Sequence, residues 1–134
     1  MATLLLIADG PWVRNEVTAA LADSSVLLLE ETDPRRAAAR VADDRPDAVI
    51  IDMQVGSMGG MAIVRELLDA AGLDHVPHTP TILLLDRSAD VFLAGRAGAD
   101  AFLEKPLVAE ELRAALRKVT NTQQGAVTTA ETEG

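Results

Sequence analysis

Five short aliphatic runs constrain the fold more than any other feature of the sequence. They occupy residues 4–8, 26–29, 48–51, 82–85 and 101–103. A continuous apolar run without polar alternation is typical of a strand that is buried on both faces of a sheet. Leucine-rich runs also suit a buried helix by propensity, but their length and spacing favour strands. The sequence therefore predicts five β-strands.

Segments with helical periodicity lie between and after these runs. They cover about residues 11–21, 34–42, 61–71, 88–97 and 108–119. Pro11 suits the first turn of a helix, Asp33 suits an N-cap, and Gly72 is a natural stop after the third segment. Five strands alternating with five helices predict an α/β domain whose parallel sheet is covered on both faces. In such sheets the functional crevice lies beyond the carboxyl ends of the strands.

The charge balance excludes several classes of partner. The chain has 12 Lys and Arg against 21 Asp and Glu, a formal net charge of −9. An acidic domain has no basic stripe to neutralise phosphates, so we expect no direct nucleic-acid binding and no attraction to anionic membranes. Aromatic residues make up only 2% of the chain, which leaves no stacking platform for single-stranded nucleic acid.

The chain length suits one domain, which we place at residues 1–120. Residues 121–134 are polar and non-periodic, so we expect a disordered tail there. The absence of cysteine excludes disulfides, thiolate catalysis and cysteine-bound metals. The N-terminus has no basic region, and no apolar run approaches the roughly 18 residues of a membrane span. We therefore expect a cytoplasmic chain without a signal peptide.

Charged residues that could act together lie just after three of the aliphatic runs. Asp9 follows the first run, Asp52 follows the third, and Lys105 comes just after the fifth. Two carboxylates that lie close together suit Mg²⁺, and a lysine ammonium pairs with a carboxylate or with phosphoryl oxygens. No Ser-His-Asp order is present. The pattern therefore indicates phosphoryl transfer rather than a hydrolytic triad.

The order Asp9, Asp52 and Lys105-Pro106 resembles the receiver domain of bacterial two-component response regulators. Three stretches carry the resemblance, residues 7–14, 46–60 and 97–107, and together they place it over about residues 3–119. The resemblance implies a flavodoxin-like, doubly wound fold with a five-stranded parallel sheet in the order 2-1-3-4-5.

The resemblance also implies roles for individual residues. Asp52 would be the phosphoacceptor that attacks a phosphohistidine. Mg²⁺ would be held by Asp9, Asp52 and the backbone carbonyl of Gln54, and Lys105 would contact the phosphoryl oxygens. The bond from Lys105 to Pro106 would be cis. Such a domain is not an enzyme beyond its own phosphorylation and dephosphorylation at Asp52.

Among the departures from the family pattern, four bear on metal binding and switching. Ala8 stands where a second acid is usual, which predicts weak Mg²⁺ binding. Leu85 replaces a Thr or Ser and cannot hydrogen-bond a phosphoryl group, while Asp86 replaces a small residue and adds negative charge if it points inward. Phe102 occupies the aromatic switch position without a phenol oxygen. We therefore expect an atypical receiver with weakened or lost switching.

Two functions remain open at this point. The first is a stand-alone receiver that accepts its phosphoryl group from a sensor histidine kinase or phosphotransfer protein and acts on an unknown output protein. Its fourth helix, fifth strand and fifth helix would then signal, and the same surface would form a homodimer. The alternative is a phosphorylation-independent adaptor, in which Lys105 pairs with Asp52 only structurally. Trp12 is expected to pack at the start of the first helix, with an exposed partner anchor as the alternative.

Overall fold

All five aliphatic runs form strands. A computed structural model describes residues 2–22, 25–56 and 59–120. The strands are β1 (Ala2–Ile7), β2 (Val26–Glu31), β3 (Ala48–Asp52), β4 (Thr81–Leu85) and β5 (Ala101–Glu104). Each predicted run lies within or directly overlaps one of them, so the strand prediction is confirmed and the helical alternative is not.

The five strands form one parallel sheet in the order β2-β1-β3-β4-β5. This is the doubly wound, flavodoxin-like order, and the prediction of it is confirmed. The chain runs from β1 outward to β2 and then returns to the other side of β1 to form β3. The carboxyl ends of β1 and β3 therefore flank the point where the winding reverses, which is where such sheets place their functional residues.

Helices connect the strands and cover both faces of the sheet. They are α1 (Pro11–Ala20), α2 (Ala37–Asp44), α3 (Gly60–Gly72), α4 (Val91–Ala97) and α5 (residues 109–120). A single 3₁₀ turn precedes α2 at Pro34–Arg36 and another precedes α4 at Ser88–Asp90.

The predicted helix ends are mostly, but not wholly, correct. Pro11 begins α1 as expected, and the Asp33 carboxylate accepts a hydrogen bond of 3.0 Å from the backbone N–H of Arg35, as an N-cap does. Gly72 is the last residue of α3 rather than the residue after it. The reason is that the N–H of Leu73 still donates to the carbonyl of Asp69. The helix therefore includes Gly72 and ends one residue later than predicted.

The sheet separates the core into two layers. Leu5 and Ile7 face one cluster, which α2, α3 and α4 complete, while Leu4 and Leu6 face a second cluster, which α1 and α5 complete. Every residue of β3 and β4 is buried. Burial of a Leu or Ile side chain contributes roughly 1.5–3 kcal/mol to the free energy of folding. Both layers therefore hold the central strands, and the residues at their carboxyl ends, in place.

Within the described ranges, no helix combines the length and the apolar character that crossing a membrane requires. The prediction of a disordered tail at 121–134 concerns residues that lie outside the described part of the chain.

Candidate functional site

The register of the central strands brings Asp9 and Asp52 to neighbouring positions. Ile7 of β1 lies opposite Ile51 of β3. Asp52 is the next and last residue of β3, and Asp9 lies two residues beyond the end of β1. Adjacent strands are about 4.8 Å apart. The Asp52 side chain is 4% exposed, whereas Asp9 is exposed at the mouth of the crevice. Both carboxylates therefore belong to the edge where the winding of the sheet reverses.

Lys105 reaches Asp52 across the end of β4. Its Nζ donates to Asp52 Oδ1 at 2.5 Å, although β4 lies between the strands that carry the two residues. The backbone N–H of Lys105 donates to the carbonyl of Leu85 at 2.8 Å, which fixes the backbone from which the lysine side chain extends. A hydrogen bond between two charged groups is stronger than a neutral one. The structure thus places Asp52, the candidate nucleophile, in contact with Lys105, the cation that the sequence pairs with it.

The loop after β3 ties Asp9 to the same site. The Gly56 N–H donates to Asp9 Oδ2 at 2.7 Å, and the Gln54 N–H donates to Asp52 Oδ1 at 3.4 Å. Gly56 has a φ of +54°, a conformation that glycine adopts without steric cost. The Asp9 to Gly56 contact was not predicted, because the sequence offers no signal for a bond between a side chain and a loop N–H 47 residues away.

The Asp86 carboxylate points toward Lys105 and shares it with Asp52. Lys105 Nζ lies 3.0 Å from Asp86 Oδ1. Burial raises the pKa of Asp86, but hydrogen bonds from Lys105 and the Gln54 side chain lower it, and the net shift is downward. Burial lowers the pKa of Lys105, but its bonds to Asp52 and Asp86 raise it, and the net shift is upward. Asp86 and Lys105 are therefore a charged pair at neutral pH.

Leu85 contributes no polar group to the crevice. Its side chain is 0% exposed and packs in the layer that α2, α3 and α4 cover. Phe102 on β5 is 37% exposed. The peptide bond between Lys105 and Pro106 is cis. At the end of β4, Leu85 thus contributes a core side chain and no hydroxyl.

Ala8 is buried beside a small cavity. The cavity has a volume of about 90 Å³, and its lining includes Ala8, Asp9, Arg14 and Glu30. Ala8 packs in the layer that α1 and α5 cover. The methyl group of Ala8 therefore has open space next to it.

The donor set suits a cation that keeps most of its water. In the described part of the chain, no group of three or more His, Cys, Asp or Glu side chains comes together to hold a metal. Mg²⁺ commonly binds through one or two carboxylates and several waters. Asp9 and Asp52 supply that number of carboxylates at adjacent strand ends, so the residues present fit a water-rich Mg²⁺ site.

Trp12 does not pack as expected. Its side chain is 72% exposed, because the neighbouring Val13 and Val17 occupy the core side of α1. The indole ring lies against the backbone of Gly10, where a Cβ atom would come within 2.8 Å of it. The prediction of a packed residue at the start of α1 is therefore wrong, and the ring covers the loop next to Asp9.

Comparisons with known proteins agree with this fold. The family model of the response regulator receiver domain matches residues 4–117. The response regulator MprA of Mycolicibacterium vanbaalenii is 33% identical over 122 residues, which cover 87% of this chain and 51% of that protein. The chain spans about half the length of the curated relatives it matches.

Two solved structures show the same fold. The chemotaxis protein CheY4 of Vibrio cholerae superimposes with a TM-score of 0.75 at 27% identity, over 89% of this chain and 98% of that one. The receiver domain of the sensor histidine kinase PA1611 of Pseudomonas aeruginosa superimposes with a TM-score of 0.76 at 22% identity, over 90% of this chain and 98% of that one. A magnesium ion is coordinated in the active site cleft of the PA1611 domain.

A parallel sheet in the order 2-1-3-4-5, with acids and a lysine at its carboxyl edge, defines a receiver-type signalling domain. The chain belongs to the response regulator receiver domain family. Members of this family take part in two-component signalling.

Proposed function

We propose that Asp52 accepts a phosphoryl group and that this receiver switches weakly in response. The observation that carries the proposal is the contact of 2.5 Å between Lys105 Nζ and Asp52 Oδ1 in the crevice at the carboxyl edge of the sheet. A nearly buried carboxylate next to a lysine at this edge has both a nucleophilic oxygen and a cation to stabilise an added anion.

The reaction is a transfer of the phosphoryl group from the donor to a carboxylate. A carboxylate oxygen of Asp52 attacks the phosphorus of a phosphohistidine, and the bond between nitrogen and phosphorus breaks as the new bond between oxygen and phosphorus forms. The electron pair of the broken bond stays on the imidazole. Asp52 Oδ1 is oriented by Lys105 and by the Gln54 N–H, so the nucleophile needs little rearrangement before attack.

The proposal includes weak Mg²⁺ binding. Asp9, Asp52 and the backbone carbonyl of Gln54 would hold the ion, which when bound neutralises charge on the transferring phosphoryl group. The connection from Asp9 to Gly56 holds the first acidic loop against the loop that carries Gln54. The side chain of Ala8 supplies no oxygen to this set, so the ion has fewer carboxylate contacts through water than an acid at this position would give.

Weak switching follows from Leu85 and Phe102. A buried leucine has no hydroxyl to move toward a phosphoryl group, and Phe102 has no phenol oxygen to bond elsewhere after rotation. The signal would then pass through smaller changes at the crevice.

The proposed partners are a sensor histidine kinase or phosphotransfer protein, met in the cytoplasm, and an unknown output protein. A homodimer through α4, β5 and α5 is part of the same proposal. Its support is an exposed apolar surface on α4 and β5: Val91 is 38%, Phe92 69%, Leu93 52% and Phe102 37% exposed. Exposed apolar side chains that cluster in this way are typical of protein contacts.

Phosphorylation by a small donor tests the proposal. The full chain is incubated with acetyl phosphate and Mg²⁺, and intact mass spectrometry measures the fraction that gains one phosphoryl group. We expect a gain that Asp52→Asn abolishes and that Asp43→Asn, an exposed acid on α2, retains. No gain at any donor or Mg²⁺ concentration would contradict the proposal.

The second candidate function is a phosphorylation-independent adaptor. The observation that favours it is the pairing of Lys105 with Asp86, because the cation is already occupied in the resting site. The two functions differ in their response to a phosphoryl mimic. If self-association measured by sedimentation is the same with and without beryllofluoride, the adaptor is favoured; if the mimic changes it, the phosphorylated receiver is favoured.

A further inference from the structure

Lys105 stands between two carboxylates. Its Nζ lies 2.5 Å from Asp52 Oδ1 and 3.0 Å from Asp86 Oδ1. An ammonium group has three donors, and these contacts use two of them. The Asp86 side chain is 32% exposed and that of Lys105 is 17% exposed, so the pair lies at the entrance of the crevice rather than in its floor.

The pairing of β4 and β5 places Asp86 beside Lys105. Leu85 lies opposite Glu104, so the next residue of each strand leaves the sheet at the same level. The Gln54 side chain forms a hydrogen bond with Asp86 as well. Asp86 therefore links Lys105 to the loop after β3.

A phosphoryl group on Asp52 would need the same ammonium. The phosphoryl group would carry about two negative charges on three strong acceptor oxygens, in place of the single charge of the carboxylate. Those oxygens would enter a space in which Asp86 already holds Lys105, and like charges at such distances repel strongly. Two anionic groups then compete for one cation.

We propose that Asp86 is a positioning residue that competes with the phosphoryl group for Lys105. The Lys105 to Asp86 ion pair must break before Lys105 can fully stabilise phosphorylated Asp52. The inference rests on the proposed function of Asp52 and adds to it a barrier that this chain's own acid supplies. The resting site is thus partly filled by an internal anion.

Neutralisation of Asp86 tests the competition directly. We expect Asp86→Asn to raise the rate of phosphorylation by acetyl phosphate and Mg²⁺ by at least about tenfold, because a unit charge at hydrogen-bonding distance is removed. Asp86→Ala serves as a second variant with the same expected direction. Glu104→Gln is the matched control, since it removes an exposed acid one residue before Lys105 and adjacent strand residues point to opposite faces.

A second measurement needs no phosphoryl donor. The sequence contains two lysines, Lys105 and Lys118, so acylation of Lys105 by an amine reagent can be compared with that of Lys118 in the same molecule. Loss of one of its two carboxylate partners should make Lys105 react severalfold faster in Asp86→Asn. If the role of Asp86 were purely structural, its substitution would not change the ratio of Lys105 to Lys118 acylation in the folded protein.

The outcomes separate the inference from the function on which it rests. Phosphorylation that is measurable but equally fast in wild type and both Asp86 variants would overturn the inference, as would an equal increase in Glu104→Gln. Faster phosphorylation with an unchanged Lys105 acylation ratio would also overturn it. Faster acylation of Lys105 without phosphorylation of any variant would support the hold of Asp86 on Lys105 and overturn the proposed phosphotransfer.

Discussion

Ala8 limits the number of carboxylates at the crevice, and the cavity beside it leaves room for one more. We expect Ala8→Asp to lower the dissociation constant for Mg²⁺ by about tenfold, equivalent to about 1.4 kcal/mol, because a third carboxylate joins Asp9 and Asp52. The cavity of about 90 Å³ accommodates the added atoms. Isothermal titration calorimetry with Mg²⁺ measures the change.

Ala8→Asn is the control for this substitution, since it adds the same volume without the charge. It should leave Mg²⁺ affinity close to that of the wild type. A similar gain from the asparagine would assign the effect to the filled cavity, and no gain from the aspartate would contradict a carboxylate shortage at the site.

Much of the site could be predicted from single residues at strand ends. Asp52 and Lys105 are predictable because apolar runs mark the strands, and charged residues within two positions of the end of a run stand at the edge. The sequence alone leaves open whether Asp86 points toward the crevice, and the β4 and β5 register places it beside Lys105. Trp12 was predicted wrongly, because periodicity places a residue on a helix face without showing how wide the buried face is.

The start of α3 packs so closely on β3 that it needs glycine. A Cβ atom on Gly60 would lie 2.7 Å from the backbone oxygen of Asp52 and 2.7 Å from Leu83 Cδ1. We expect Gly60→Ala to destabilise the protein by about 1–3 kcal/mol, because one contact is backbone and cannot yield by side-chain rotation. Urea denaturation gives the free energy of unfolding.

The end of the same helix provides the matched substitution. A Cβ atom on Gly72 meets nothing within 4 Å, so Gly72→Ala should be neutral or stabilising by up to about 1 kcal/mol. Equal losses at both glycines would show that the close approach of Gly60 to β3 does not decide its cost.

The end of β2 is tied to α2 through Glu31. Its carboxylate accepts hydrogen bonds from the Asp33 N–H at 3.0 Å and from the side chains of Arg36 and Arg40 at 3.1 and 3.2 Å. Burial raises the pKa of Glu31, but these bonds outweigh it and the net shift is downward. A carboxyl whose pKa is lower in the folded state stabilises the fold above its unfolded pKa and loses this contribution as pH falls.

Glu31→Gln should therefore cost about 1–2 kcal/mol at neutral pH, with the difference from wild type narrowing below the ordinary pKa of 4.5. Thermal or urea unfolding at several pH values measures it. Glu30→Gln is the control, because its ion pair with Arg14 is 3.5 Å long between half-exposed side chains and should contribute little. A constant difference across the pH range would contradict the assigned role of the Glu31 charge.

At the scale of the whole molecule, the strand order was predictable and the surface was not. Uninterrupted aliphatic runs can be buried only between two helical layers, and that requirement with the family resemblance leads to the 2-1-3-4-5 sheet. The exposure of α4 depends on which of its few residues reach the core. Only Ala94 and Ala97 of α4 are buried, so its larger side chains remain outside.

This exposed surface predicts self-association through α4 and β5. We expect sedimentation to detect a concentration-dependent dimer, and Phe92→Ser to weaken it by about tenfold or more, because exposed aromatic side chains are common energetic anchors of interfaces. Trp12→Ser, which removes a similarly exposed aromatic residue at the crevice, should leave the dimer unchanged. A strictly monomeric wild type, or equal effects of both substitutions, would contradict this interface.

The position of Trp12 has a practical consequence. It is the sole tryptophan of the sequence, and its indole rests on Gly10, the residue after Asp9. Its emission comes from one known point at the rim of the crevice, so the unlabelled protein carries an optical sensor of events around Asp9. Occupation of the crevice by an ion or a phosphoryl group can thus be followed in real time by fluorescence, with no dye attached.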